Sequence, residues 1–334
     1  MPCDMNPSAL LILLTALFSA LAGLAQPCTG MSIADADASR ERLLRLYYDD
    51  DAFAGTHRYF TRGIRAELIH PRFRDLFLSR RILFRLGGRP TTYYGLGVAQ
   101  AIYTPENLSS PDIVPGDRPY AGTLSLQHFL ISNDLRRMLR MTTWLDIGVL
   151  GPLSGSGLFA GANENPNRPQ GWDKQIRTDL LLGYGGMIEK GLISVNGIDA
   201  VAFGRVNLGT VHTYAGGGLL LRLGLVNPYF HDLHFSRRTI YGNRDVRPYQ
   251  FFLTARGEGR LIGYDATLQG GLLNRSSPHT IAGSDMKRFL PLGALGAAFV
   301  YKIVELGYEH NFAGARFNGV TGHTWGQLRL IVAF

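Results

Sequence analysis

The sequence predicts an all-β protein: a transmembrane antiparallel β-barrel of about twelve strands, after a cleaved N-terminal signal peptide. Three observations predict it. Apolar residues alternate with period two over most of the chain, the composition favours glycine and aromatic residues, and an alternating segment ends on a terminal phenylalanine. Of 334 residues, 41 are Gly, 15 Tyr and 18 Phe. Glycine fits crowded barrel walls and turns, and aromatic rings collect where membrane meets water. Beyond the N-terminus, polar or charged residues interrupt every apolar stretch, so the runs of about 20 apolar residues required by membrane helices are missing.

The alternation is clearest in the last segment. Leu328, Leu330, Val332 and Phe334 fall on one face, with Gln327 and Arg329 on the other. Leu219, Leu221, Leu223 and Leu225 repeat the pattern against Arg222 and Gly224, as do Leu124, Leu126 and Leu130 against Thr123, Ser125 and Gln127. A soluble sandwich has the same alternation. The export segment, the composition and the terminal aromatic, a mark read by the barrel-assembly machinery, favour the barrel. Strands are expected near 41–51, 59–70, 91–102, 118–132, 139–150, 173–188, 192–207, 211–226, 249–264, 289–301, 303–313 and 323–334. With both termini in the periplasm, loops 52–58, 103–117, 151–172, 265–288 and 314–322 face outward. Residues 227–248, with Pro228, Arg237 and Arg238, form the largest expected periplasmic connection.

The one long apolar run, Ala9 to Ala25, ends in small residues that suit cleavage before Gln26. Residues 1–25 are read as signal peptide, 26–40 as a leader and 41–334 as the barrel, in a bacterial outer membrane. Cys3 leaves with the signal peptide, so Cys28 stands alone and a disulfide framework is excluded. The net charge of +8 suits anionic lipid headgroups or nucleic acid, and export removes nucleic acid as a partner.

The G-x-S-x-G, Walker and H-E-x-x-H motifs do not occur. Three polar clusters lie at outward strand ends. The first is Asp49, Asp50 and Asp51, then Phe53 and the run from Thr56 to Gly63 through His57, Arg58, Thr61 and Arg62. Adjacent carboxylates repel, and calcium, which takes carboxylate oxygens, would compensate them. A solvated charged hairpin is the alternative. The second cluster is Tyr103-Thr104-Pro105 with Asp117 to Gly122, and the third is Gly151-Pro152 with Gly171, Trp172 and Gln175.

Together these clusters resemble the lipid A deacylase family of outer-membrane barrels. That family's N-D-x-F reads D-D-A-F at Asp50 to Phe53, and its T-D-R-Y-Y-T-N-G reads T-H-R-Y-F-T-R-G at Thr56 to Gly63. Y-T-P, D-R-P-Y-A-G and G-W-x-x-Q follow at Tyr103, Asp117 and Gly171. The resemblance covers about Tyr47 to Gln175. It implies a calcium-dependent esterase that removes the 3′ acyloxyacyl chain of lipid A in the outer leaflet of the membrane. It further implies catalytic roles for Asp50, Asp51 and Thr61, with Asp50 and Asp51 also the metal ligands. Two departures stand out. No histidine lies between Gly151 and Trp172, where the family has its catalytic one, and the family's Asn is Asp50 here. His57, or else Glu164, is then the candidate base. Arg58, Arg118 and Arg168, with Arg62, are candidates for binding lipid A phosphates. The alternatives are a catalytically silent lipid-binding or structural barrel and, third, a diffusion porin.

Overall fold

A lipid-facing strand has no water to satisfy its backbone, so a membrane sheet must close on itself. In the computed structural model it does so with twelve strands. The structure describes residues 25–27, 39–55, 58–108, 110, 112–156, 171–231, 233 and 247–334. Residues 1–24 of the expected signal peptide, most of the expected leader, Arg237 and Arg238 lie outside the described residues. The barrel strands are β1 (Leu43–Asp50), β2 (Tyr59–Ile69), β3 (Thr91–Thr104), β4 (Ala121–Asp134), β5 (Leu139–Leu150) and β6 (Asp179–Val195). They continue as β7 (Ile198–Gly209), β8 (His212–Leu225), β9 (Tyr249–Asp265), β10 (Phe289–Tyr301), β11 (Val304–Ala313) and β12 (His323–Ala333). Each pairs antiparallel with its sequence neighbours, and β12 pairs with β1 to close the ring. A separate two-stranded pair joins Ala25–Pro27 to Phe84–Leu86.

Period two sorts the side chains as expected. Leu219, Leu221, Leu223 and Leu225 lie on the exposed face of β8, whereas Arg222 between them is buried. Arg222 points into the lumen and binds Asp199 at 2.7 Å. Further ion pairs fill the interior: Arg329 with Glu305 at 2.8 Å and Glu309 at 3.2 Å, and Glu258 with Arg260 at 2.7 Å and Arg205 at 3.8 Å. Burying such charges is costly, so removing one partner of a pair costs about 3–5 kcal/mol. Aromatic rings occupy part of what remains. Trp144 lies so close over Gly185 that a Cβ there would come within 2.3 Å of the indole.

Both ends of the lumen are stoppered. At the periplasmic end, the chain after β8 turns inward, and Val226, Phe230 and Leu233 pack among wall residues such as Phe252 and Ile131. Asn133 donates to the Phe230 carbonyl at 2.6 Å and Arg140 to that of Tyr229 at 2.8 Å. The segment expected to be a large periplasmic connection therefore begins as a plug. At the outer end, the short helix α1 (Ala266–Gln269) sits across the mouth, capped by Asp265, whose carboxylate accepts from Thr267. A cavity of about 420 Å³ between the stoppers is lined by Arg65, Glu67, Gln127, Asp146 and other polar groups.

The connection from β2 to β3, residues 70–90, takes an unexpected path. Outward-facing Leu124 and Leu126 on β4 are exposed, yet Leu130 on the same face is 0 % exposed. It is covered by a 3-10 turn, Pro71–Asp75, and a one-turn α-helix, Phe77–Arg81, that climb the outside of the wall. Leu83 packs on Tyr94 and Leu130, and Tyr184 donates to the Ile82 carbonyl at 2.9 Å.

The stoppered lumen predicts a non-conducting barrel. Purified protein in planar bilayers should show baseline current, and stable porin-like conductance steps would contradict this packing.

Candidate functional site on the outer wall

The three consecutive aspartates do not form one cluster, because the wall passes between them. Asp49 faces the lumen, where its carboxylate accepts from Trp325 Nε1 at 3.1 Å and Gln327 Nε2 at 2.8 Å. Asp50 faces outward at the rim. It accepts from the Tyr48 hydroxyl at 2.5 Å and Arg62 Nε at 3.4 Å, and it caps the next turn through the Ala52 backbone N–H at 2.9 Å. Asp51 opens that 3-10 turn, Asp51–Ala54, and is 1 % exposed. Burial, then the neighbouring Asp50 charge, pushes its carboxyl up to about 7, against a smaller lowering by a hydrogen bond from the Arg58 backbone.

The sequence turns here because Gly55 closes the turn in the left-handed region at φ 69°. Phe53 then folds back over the outer wall, edge-on to Tyr48 and Tyr308. The strand beneath must be glycine: a Cβ at Gly326 would lie 2.5 Å from the Phe53 side chain.

The register places the other site residues on the same outward face. Asp50 is opposite Arg62, Arg62 opposite Ile102, and Ile102 opposite Gly122. Three strand spacings separate the ends of this row, about 14 Å. Irregular pairing between Phe60 and Arg62 on β2 interrupts strict alternation, and the Thr61 hydroxyl meets that of Thr104 at 2.5 Å. At the far end of the row, the turn Pro152–Ser154 folds down outside the wall. Gln100 donates to the Ser154 carbonyl at 2.7 Å, and Ser156 fills the space above Gly122. Ser154, Ser156 and Gln175 are hydrogen-bonded in sequence, which ties the G-W-D-K-Q segment to this wall. The result is a polar strip on the outside of the barrel at its outer end, where a membrane lipid rather than a lumen solute would meet it.

The structure gathers Asp50, Asp51 and Thr61 at this strip. Tyr48 and Thr104, their hydrogen-bonding partners, were not singled out as site residues, although Thr104 belongs to the Y-T-P motif. Arg58 sits at the rim, paired with Glu106 and donating to Thr321 Oγ1 at 3.1 Å. Arg118 is a correction. It is not at the rim facing lipid but inside the mouth, 2 % exposed, against the Tyr103 ring and donating to Thr267 at 3.2 Å. Burial depresses its guanidinium to about 10. Its motif neighbours are likewise structural: Asp117 accepts from the Glu106 and Asn107 backbone, and Tyr120 packs on Trp172. His57, Arg168 and Glu164 lie outside the described residues.

His128, His212 and His323 are wall or lumen groups. His128 bonds Ser79 and the Gly95 carbonyl, His212 faces Asp265 at 3.6 Å, and His323 stacks on Trp325. Among the described residues no three His, Cys, Asp or Glu side chains converge. Asp50 and Asp51 nevertheless have the donor type and charge that calcium takes, and a cation would relieve the strained ionisation of Asp51.

Comparison with known proteins agrees with this architecture. A search among curated protein sequences finds no match. Among solved structures, LpxR from Salmonella typhimurium superposes with a TM-score of 0.68 at 22 % identity, covering 87 % of this chain and all of that one. The β domain of the Bordetella autotransporter BrkA reaches a TM-score of 0.44 at 14 % identity, over 88 % of this chain and 99 % of that one. The family model described as outer membrane protein LpxR matches residues 10–334. The chain is an outer-membrane barrel that belongs to the LpxR family.

Proposed function

We propose that this protein hydrolyses an ester-linked acyl chain of lipid A in the outer leaflet, the 3′ acyloxyacyl chain. One observation carries the reading: Asp50 and Thr61 face outward at the outer rim, beside the buried Asp51, where the ester region of an outer-leaflet lipid lies. The family resemblance of the motifs supplies the substrate class. Lumen-facing chemistry would need a soluble substrate, and the lumen is stoppered at both ends.

The roles follow from the groups present. Asp50 is held by Tyr48, Arg62 and the turn backbone, so it is fixed before substrate arrives. Thr61, anchored by Thr104, offers a hydroxyl donor to the developing oxyanion. His57 takes the proton of the attacking water and returns it to the departing sugar oxygen. Arg58 and Arg168 bind phosphate on the disaccharide. Asp50 and Asp51 are the residues that would hold calcium, which would supply charge stabilisation to the ester carbonyl.

A second reading, a silent lipid-binding barrel, is favoured by one fact: no histidine lies between Gly151 and Trp172. Purified protein incubated with lipid A in mixed micelles separates the two. Under the hydrolytic reading, Asp51→Asn and His57→Ala lower turnover about 100-fold or more, and Thr61→Val about tenfold. Intact lipid A with the wild type supports the silent barrel, and full activity of His57→Ala removes His57 from the mechanism.

The calcium assignment has its own signature. Because the folded Asp51 pKa is raised from 3.8 to about 7, the folded state holds a proton that the unfolded chain has lost. Its stabilising contribution is thus present below pH 4 and fades as pH rises through 7. Calcium needs the carboxylate, so its affinity should rise about tenfold between pH 6 and pH 8. Thermal stabilisation by millimolar calcium should grow accordingly and vanish in Asp51→Asn. A shift equal at both pH values, or intact in the variant, would rule out this site.

A further inference from the structure

The outside of the barrel carries a second non-apolar region at the opposite end, and no part of the proposed chemistry uses it. On the lower half of β3, β4 and β5, the face that should be apolar presents Thr92, His128, Ser132 and Thr143. All four are buried, because residues 70–90 lie over them. Ser79 bonds His128 Nε2 at 2.7 Å, and Thr143 donates to the Phe84 carbonyl at 2.8 Å. Thr92, His128 and Thr143 thus find hydrogen-bond partners in the cover, in a zone where lipid could satisfy none of them.

The outer side of that cover faces the membrane, and its chemistry is two-sided. Leu76 is 39 % exposed and Phe77 is 70 % exposed. Around them the segment holds six arginines against a single aspartate, Asp75. Asp75 pairs with Arg80 at 2.5 Å and Arg74 at 3.6 Å. Arg72, Arg81 and Arg89 are exposed and have no ion pair among the described residues. Height along the barrel fits a membrane boundary. Ser79 sits at the level of His128, six residues above the periplasmic end of β4 at Asp134. With the usual strand rise and tilt, the tip stands about 15 Å above that end. An apolar tip flanked by cations at this depth is the pattern of an element lying in a lipid headgroup layer.

We propose that residues 70–90 form a lipid-binding clasp for anionic phospholipid of the periplasmic leaflet. Leu76 and Phe77 enter the acyl region, and Arg72, Arg81 and Arg89 meet the phosphodiesters. The clasp is independent of the outer-leaflet site, which lies at the other end of the strands. The membrane thus grips the barrel by two leaflets of different chemistry, one through each end.

The test is lipid retention by the full-length barrel. Wild type and R72Q/R81Q/R89Q are purified from mixed micelles of phosphatidylglycerol and phosphatidylethanolamine, and bound lipid is counted by native mass spectrometry. R136Q/R137Q, in the exposed β4–β5 turn, controls for loss of arginine charge elsewhere at the same end, and heat-modifiable gel migration confirms that each barrel has folded. Wild type and the control should retain phosphatidylglycerol over phosphatidylethanolamine by several-fold, and the triple variant should lose that preference. Phe77→Trp should in addition be quenched by lipids brominated near the headgroup. Equal retention by wild type and the triple variant, or no preference in wild type, would overturn the clasp. An unquenched Trp at 77 would do the same, by placing the tip outside the lipid.

Discussion

The constraint on which this structure depends is that hydrocarbon offers no hydrogen bonds. It forces the twelve strands to close, since an open edge would leave a row of bare amides in lipid. It also assigns one face of every strand to apolar residues. Once that face is fixed by alternation, the opposite face must line the lumen, and the lumen receives nearly all the charge. The ion pairs of Arg222, Arg329 and Glu258 follow from that assignment. With the stoppers at both ends, they keep the barrel from being an open pipe.

Against so strict a rule, polar residues on the lipid side are the informative positions. Among the described residues two groups of them stand out, at opposite ends of the same wall. At the outer end, Asp50, Arg62, Thr61 and Gln100 are covered in part by the turns at Asp51–Ala54 and Pro152–Ser154. At the periplasmic end, His128, Ser132 and Thr143 are sealed beneath residues 70–90. The first group retains an accessible strip and hence chemistry. The second is closed by hydrogen bonds at His128 and Thr143, and its interest lies in the surface its cover presents.

Much of the fold was legible in the sequence, because period two in β8 and β12 is a direct consequence of having lipid on one side. Ten of the expected segments fall close to observed strands, but the β6–β7 boundary was displaced. The turn lies at Asn196-Gly197, with Gly197 at φ 82°, so β6 runs on to Val195. Asn-Gly is a strong hairpin signal, and the apolar Ile193 and Val195 before it masked where the strand ended. The site was legible as motifs but not as geometry. Three adjacent aspartates read as one charge cluster, whereas alternation sends Asp49 and Asp50 to opposite sides of the wall. Arg118 read as a rim cation because its loop is external; that the loop folds into the mouth depends on Tyr103 and Thr267, distant in sequence. The clasp had no such signature, since Phe77 to Arg81 is too short for helical periodicity to show.

The central claim is that the outward strip at Asp50, Asp51 and Thr61 acts on lipid A in the leaflet it faces. Mass spectrometry of lipid A extracted from otherwise identical cells, with and without this protein, tests it most directly. The account predicts a species lighter by one acyloxyacyl group at the 3′ position, present only with the wild-type protein and absent with Asp51→Asn. Identical lipid A profiles from cells with and without a correctly assembled barrel would contradict it.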